Sequence, residues 1–301
     1  KEIIKDIATK IKPGSHIIIE STLPPGTTEK IILPEIKKKF KKRGISSRKI
    51  KLSYSFERVT PGNNYLNSIK NMHRVYATIN KEHEKDIQFF LKDILKKKTA
   101  KICKLNSTTE AETCKILENT YRALNIAFIE EWRNFSSILN LDLNKILDFI
   151  RLRPTHSNIM RPGVGVGGYC LTKDPLFAEI SSKYVFKKNI KLPLSNEAVK
   201  INSITPKNVI SSINKVHDLR LYKNKKVMLF GASYRQGVGD TRFSPSSDIY
   251  DYFKKIGAKI TVIDPYLDFW NEKKCKILKK SVSKKDVALA IFLGPHKEFS
   301  L

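Results

Sequence analysis

From Ser107 to about Leu139 the chain runs with helical periodicity and contains neither glycine nor proline, opening on the capping-box pattern STTE at 107–110. A helix of some thirty residues is too long for an ordinary α/β crossover. It reads as a central spine, and what lies on either side of it must be organised around it.

Before the spine, strand-like and helix-like stretches alternate: HIIIEST (16–22), TTEKIILPEIKKKFKKRG (27–44), KIKLSYSFE (49–57), RVYATI (74–79), HEKDIQFFLKDIL (83–95) and AKICKL (100–105). After it, helices are expected near 142–152, 174–184 and 194–217. A buried-type strand in KKVMLFGASY (225–234) then restarts the alternation, with a helix near 246–256 and strands in KITVID (259–264) and DVALAIFLG (286–294). The expected fold class is α/β, with two Rossmann-type domains joined by a long central helix and a helical middle section. The expected boundaries are 1–106, 107–205 and 206–301. No strand with a glycine fingerprint precedes the opening helix-like KEIIKDIATK, and the second sheet stops just after a strand. The first domain is therefore expected to be incomplete and the chain truncated at both ends.

Composition bounds the partners. With 41% hydrophobic residues in 301, the chain can bury ordinary cores. No apolar run reaches the roughly 18 residues of a membrane span, and the N-terminus lacks a signal peptide's apolar segment. A cytoplasmic protein without a membrane partner is expected. Cys103, Cys114, Cys170 and Cys275 show no CxxC pair and no metal-ligand spacing, so free thiols and no metal are expected. The 57 basic against 29 acidic residues leave a net charge of +28. The lysines are scattered among KKKFKKR (37–43), KKK (96–98), KK (187–188), KNKK (223–226) and KK (279–280), without a zinc-finger, RNP or basic-zipper pattern. We expect a lysine-rich solvated surface and no nucleic-acid partner, although a basic module is the alternative that charge alone would allow.

Chemistry concentrates in RPGVGVGGYCLTKDP (161–175). Its GxGxxG spacing is preceded by RLRPTHSNIMRP and not by a strand, so a Rossmann phosphate turn is excluded. A bare backbone ending in a cysteine instead suits a ligand lying close with a thiol presented to it. The plainer alternative is a surface loop with an incidental cysteine. Lys115 and Asn119, four apart, share one face of the spine helix. Thr22 follows a buried strand in ESTLPPGTTE (20–29), at the end where α/β sheets bind ligands, and Glu57 and Arg58 end another strand in SFERVTPGN (55–63). A cysteine-nucleophile acyl transferase or hydrolase is a further alternative. It needs a histidine base, and among the six histidines only His156 lies near the loop in sequence.

Taken in order, EST-LPPGTT, FERVTPGN, AETCKILENTYRALNIAFIEEW, PGVGVGGYCLTKDP and LFGASYRQGVGDTRFSP resemble the nucleotide-sugar 6-dehydrogenase family over nearly the whole chain. The resemblance implies an NAD-dependent four-electron oxidation of a UDP-sugar C6 alcohol to a carboxylate, in a homodimer built through the central helix. It implies that Cys170 carries the intermediate as a thiohemiacetal and then a thioester. Lys115 would stabilise oxyanions, Asn119 and Asp174 would hold a water, Glu57 would assist thioester hydrolysis, and Thr22 would stand at the active centre. Arg161, Gly167 and Arg235 would meet the sugar diphosphate. Thr22, Lys173 and Arg242 would meet the NAD. The motifs depart from the family at Phe56, where proline is frequent, at Gly237, where an acidic residue is common, and at Arg235, where lysine is usual. The missing N-terminal glycine fingerprint is the largest departure.

Overall fold

The computed structural model describes residues 2–59, 62, 65–95, 100–280, 286–294 and 296–299. The lysine run 96–98, and Thr60, Pro61 and Asn63 of the second motif, lie outside the described residues. The chain packs as two units, one of residues 1–120 with 174–192 and the other of 121–173 with 193–301.

In the first unit, α1 (Glu2–Lys10) leads to β1 (His16–Ile19), whose three consecutive isoleucines suit a strand. A π-turn (Thr28–Ile32) runs into α2 (Leu33–Lys42), which buries Ile36 and Phe40 and turns its lysines outward. Then come β2 (Lys51–Tyr54), α3 (Tyr65–Asn71), β3 (Arg74–Thr78), α4 (Glu84–Ile94) and β4 (Ile102–Lys104). The sheet order is β1-β2-β3-β4. β1 and β2 are parallel, as are β3 and β4, whereas β2 and β3 are antiparallel.

The spine is a single helix, α5 (Thr108–Ile138), of 31 residues. Its start is capped in both directions: Glu110 N–H donates to Ser107 Oγ at 3.1 Å, and Asn106 N–H donates to the Glu110 carboxylate at 3.0 Å. One of the amides a helix start leaves without a partner is thereby satisfied, together with the amide of the residue that precedes the cap. The chain continues through α6 (Leu143–Arg151), a short turn at Asp174–Leu176, α7 (Phe177–Tyr184) and α8 (Pro193–Val216), in agreement with the expected helical middle section.

The second unit packs α8 on the later turns of α5 through small residues. Ala123, Ala127 and Ala198 form a buried cluster with Leu124, Leu171 and Ile201 beside it, and Asn202 Nδ2 donates to the Ala123 carbonyl at 3.0 Å. Its sheet contains β5 (Lys226–Phe230), β6 (Lys259–Ile263), β7 (Phe269–Trp270), β8 (Cys275–Leu278) and β9 (Val287–Phe292), in the order β7-β8-β6-β5-β9. Helix α9 (Ser246–Lys255) lays Ile249, Tyr250 and Phe253 against Val227, Leu229, Val262 and Trp270. β5, β6, β8 and β9 are parallel; among the described residues of this sheet only the β7–β8 ribbon is antiparallel. The fold is the expected one, with two α/β sheets and a long helix between them in sequence.

Candidate functional site

In the first unit the polar groups gather at the carboxyl ends of β1 and β2 and along the first turns of α5. Arg74, 3% exposed, fastens this corner: it pairs with Glu20 at 3.2 Å and donates to the Phe56 carbonyl at 3.0 Å. Glu112 of α5 is fully buried and accepts from Gly26 N–H at 2.6 Å, Thr28 N–H at 2.8 Å and Thr28 Oγ1 at 2.6 Å. It thereby closes the turn LPPGTT on itself and occupies the helix start that follows β1. Burial pushes its carboxyl above the ordinary value, against the pull of those hydrogen bonds from Thr28 and Gly26.

Thr22 is half-buried on this turn. Glu57 is half-buried too, with a carboxylate oxygen taking the Val59 N–H. One turn further along α5, the Lys115 ammonium reaches the Glu57 carbonyl at 3.5 Å and stands 5.5 Å from the centre of the Phe56 ring. Asn119 Nδ2 donates to Asp174 Oδ2 at 2.7 Å in a buried setting. The spacing of Lys115 and Asn119 thus does what one helix face allows. Lys115 meets the Glu57 loop, and Asn119 meets the residue four positions after Cys170.

The second unit holds the thiol. Cys170 is exposed, in a turn where Lys173 N–H donates to its carbonyl at 3.3 Å and Thr172 Oγ1 donates to the Gly168 carbonyl at 2.9 Å. The glycines have a reason that the sequence did not supply. A side chain at Gly167 would meet Tyr234 Cβ at 2.4 Å and the Phe243 carbonyl at 2.8 Å, and at Gly168 it would meet the Tyr234 ring at 2.9 Å. Gly168 N–H also donates to the Arg242 carbonyl at 3.0 Å. The loop is bare because the segment 234–243 lies against it.

That segment carries Arg235 and Arg242. Arg242 grips Asp240 with two parallel hydrogen bonds, 2.9 and 2.6 Å, and lies 4.9 Å from the Tyr169 ring, which itself meets Phe243 edge-on at 5.0 Å. The Asp240 carboxylate drives the guanidinium further toward its charged form. Arg161 is turned to α6, where it pairs with Asp148 and approaches Asn144 at 3.4 Å. Among the histidines, His156 contacts Thr155 Oγ1 at 2.8 Å on an exposed turn.

Two features of this unit escaped the sequence reading. Arg122 follows the AETCKILENTY stretch on α5, and its charge is felt by those of Arg235, Cys170 and Tyr234. Its guanidinium is pulled below its ordinary value by partial loss of water and then by the like charge of Arg235, so the pair forms a cationic spot that an anion would relieve. The position seven after Lys115 and three after Asn119, on the same helical face, was the available signal. The other is Asp264, fully buried at the end of β6. It accepts from Ala232 N–H at 3.0 Å, Ser233 N–H at 2.9 Å, Ser233 Oγ at 2.9 Å and, through its other oxygen, Tyr266 N–H at 3.0 Å. His296 lies 3.5 Å from it, and its Nδ1 takes the Gly237 N–H at 3.3 Å. Asp264 and His296 together hold both ends of the loop that bears Arg235.

Comparison with known proteins places these units. Three domain models of one family match in order: the NAD binding domain of the UDP-glucose/GDP-mannose dehydrogenase family at residues 1–97, its central domain at 109–204 and its UDP binding domain at 228–301. The chain belongs to the UDP-glucose/GDP-mannose dehydrogenase family. A UDP-N-acetyl-D-mannosamine dehydrogenase of Methanococcus aeolicus is 35% identical over 299 residues, covering 98% of this chain and 62% of that protein. The native structure of the UDP-N-acetyl-mannosamine dehydrogenase of Staphylococcus aureus aligns with a TM-score of 0.80 at 26% identity, over 100% of this chain and 66% of that one. An NDP-N-acetyl-D-galactosaminuronic acid dehydrogenase structure from Methanosarcina mazei has the same fold, with a TM-score of 0.79 at 23% identity over 98% of this chain and 62% of that one. The chain thus spans less than two thirds of the length of these relatives. Among the described residues, no helix is long and apolar enough to cross a membrane.

Proposed function

We propose that the protein is an NAD-dependent UDP-sugar 6-dehydrogenase, oxidising the C6 alcohol to the uronate with Cys170 as the covalent carrier, and that its sugar is a UDP-N-acetylhexosamine of the mannosamine type named for its relatives. The observation that carries this reading is the buried Asn119–Asp174 bond. It ties Asp174 to the spine helix that carries Lys115, which supports reading one acid, one amide and one lysine as a single reacting group.

When bound, NAD would accept a hydride in each of two oxidations. The described residues fit the reacting end of that cofactor better than its phosphates. The helix start after β1 is already taken by Glu112, while Thr22 stands free of it and Arg242 remains 58% exposed though held rigid by Asp240. Thr22, Lys173 and Arg242 are the residues we assign to it. Asp174 and Asn119 hold a water that takes the alcohol proton, and Lys115 stabilises the developing alkoxide. The Cys170 thiolate then bonds to C6 of the aldehyde, giving a thiohemiacetal whose oxygen again meets Lys115. After the second oxidation the carbon is a thioester. Water, guided by Glu57, adds to it and expels the thiolate, leaving the carboxylate and the free thiol.

The like-charged pair of Arg122 and Arg235 supports the substrate end of this reading, since two neighbouring guanidinium groups suit a diphosphate. We assign Gly167 to backbone contact with the substrate and Arg161, once released from Asp148, to the diphosphate. The second half of α5 presents Phe128, Trp132 and Phe135 as an exposed aromatic ladder, with successive rings 6.3 and 5.4 Å apart, continued by Ile138 and Leu139. Its occupant in this proposal is a second copy of the chain. The test of the chemistry is Cys170→Ser on the complete protein. Uronate formation should vanish while UDP-sugar still binds, and normal turnover would remove Cys170 from the mechanism.

A further inference from the structure

Phe56 is fully buried, packed with Tyr54, Val75, Ala77 and Ala111, and its backbone carbonyl is held by Arg74 at 3.0 Å. Two cations stand against this fixed ring. The Arg58 guanidinium is 4.8 Å from its centre and the Lys115 ammonium 5.5 Å. Both distances lie within the range where the negative face of an aromatic ring attracts a cation.

The two cations differ in what else they hold. Arg58 is matched by Glu118 through hydrogen bonds of 3.2 and 3.1 Å and donates to the His73 carbonyl, so its charge is answered. Lys115 enters no salt bridge among the described residues; its contact is the Glu57 carbonyl at 3.5 Å, the outer limit of a hydrogen bond. A lysine chain with four rotatable carbons and one long hydrogen bond would sample several rotamers unless something else fixed its end. The Phe56 ring is that fixture.

We propose that Phe56 is a positioning residue for Lys115: its π-face holds the ammonium in place without neutralising it, leaving the charge available for an oxyanion. A carboxylate partner would fix the ammonium equally well and quench it; a buried aromatic ring does the first and not the second. The claim rests on the role proposed for Lys115, and its test separates the two.

The experiment replaces Phe56 in the complete protein by mono-, tri- and pentafluorophenylalanine, which drain the ring's negative face in steps at nearly constant volume, and by leucine. The expected result is a graded fall in kcat, about tenfold for the pentafluoro ring and the leucine variant, with KM within about twofold of the parent. In the Lys115→Ala background the same series should have no further effect on rate. A second readout needs no turnover: with lysines reductively methylated using ¹³C-formaldehyde, the Lys115 methyl signal should carry a ring-current shift that Phe56→Leu abolishes. Unchanged kcat across the fluorinated series, an equal loss in the Lys115→Ala background, or absence of the ring-current shift would overturn the proposal. If instead Lys115→Ala itself turned over normally, the catalytic role given to Lys115 would fall, and the proposal with it, even where the ring-current shift persisted.

Discussion

Asn119 donates its side-chain amide to the Asp174 carboxylate at 2.7 Å, and both residues are buried. A carboxylate in that setting loses much when a donor is removed, on the order of 1–3 kcal/mol. Asn119→Leu should therefore lower the melting temperature by roughly 2–10 °C. If the pair also moves the alcohol proton, kcat should fall by about 10²-fold or more. A variant that melts earlier but turns over at the parent rate would leave the bond a structural tie only.

Glu112 closes the LPPGTT turn with three hydrogen bonds from Gly26 and Thr28. Glu112→Ala would leave two buried amides and a hydroxyl without an acceptor, at a cost of about 2–4 kcal/mol. Glu112→Gln should not rescue it, since its NH2 would have to face either the Gly26 or the Thr28 amide. Urea unfolding of the three proteins checks this; full stability of the glutamine variant would mean that one acceptor oxygen suffices.

Gly167→Ala places a methyl 2.4 Å from Tyr234 Cβ and 2.8 Å from the Phe243 carbonyl. Neither neighbour can give way without moving the segment that carries Arg235 and Arg242, so a loss of about 1–3 kcal/mol is expected, along with weaker UDP-sugar binding. Gly163→Ala, with nothing within 4 Å, is the control that should behave as the parent.

Asp264 gives a pH signature. Burial would raise its carboxyl, yet the His296 ring 3.5 Å away and hydrogen bonds from Ser233 and Tyr266 hold it below the ordinary value of 3.8. A carboxyl lowered by folding contributes stability that is present above 3.8 and lost as pH falls through the folded-state value. The penalty of Asp264→Asn should therefore be complete at neutral pH and shrink once the pH drops below about 4. Denaturant midpoints from pH 7 to pH 3 measure it; a penalty constant with pH would mean that the charge is not what Asp264 contributes.

The layering of the fold was legible because its signals are periodic and local. The isoleucines of His16–Ile19, the uninterrupted stretch from Ser107 and the apolar run at Val227–Phe230 each specify an element without help from the rest of the chain. The short β7–β8 ribbon was not foreseen, because Phe269–Trp270 is two residues long and its pairing is decided by tertiary contact. The site was legible where motifs are contiguous, as with Cys170 and Asp174, or share a helix face, as with Lys115 and Asn119. It was not legible where meaning depends on a distant segment. The glycines at 167 and 168 read as room for a ligand, while the structure fills that room with Tyr234 and Phe243. Phe56 read as a departure from a motif and proved to be a ring facing two cations. Asp264 and His296 lie 32 residues apart in sequence, and nothing local announces that they meet.

In the proposed reaction one thiol carries a sugar carbon through two oxidations without releasing the aldehyde. The most direct measurement is the ratio of NADH formed to UDP-N-acetylmannosamine consumed by the complete protein, with the product identified by mass. About two NADH per sugar and a uronate as the sole product are expected, because each hydride leaves the same carbon. One NADH per sugar with a free aldehyde, or no NADH with any UDP-sugar, would contradict that reaction.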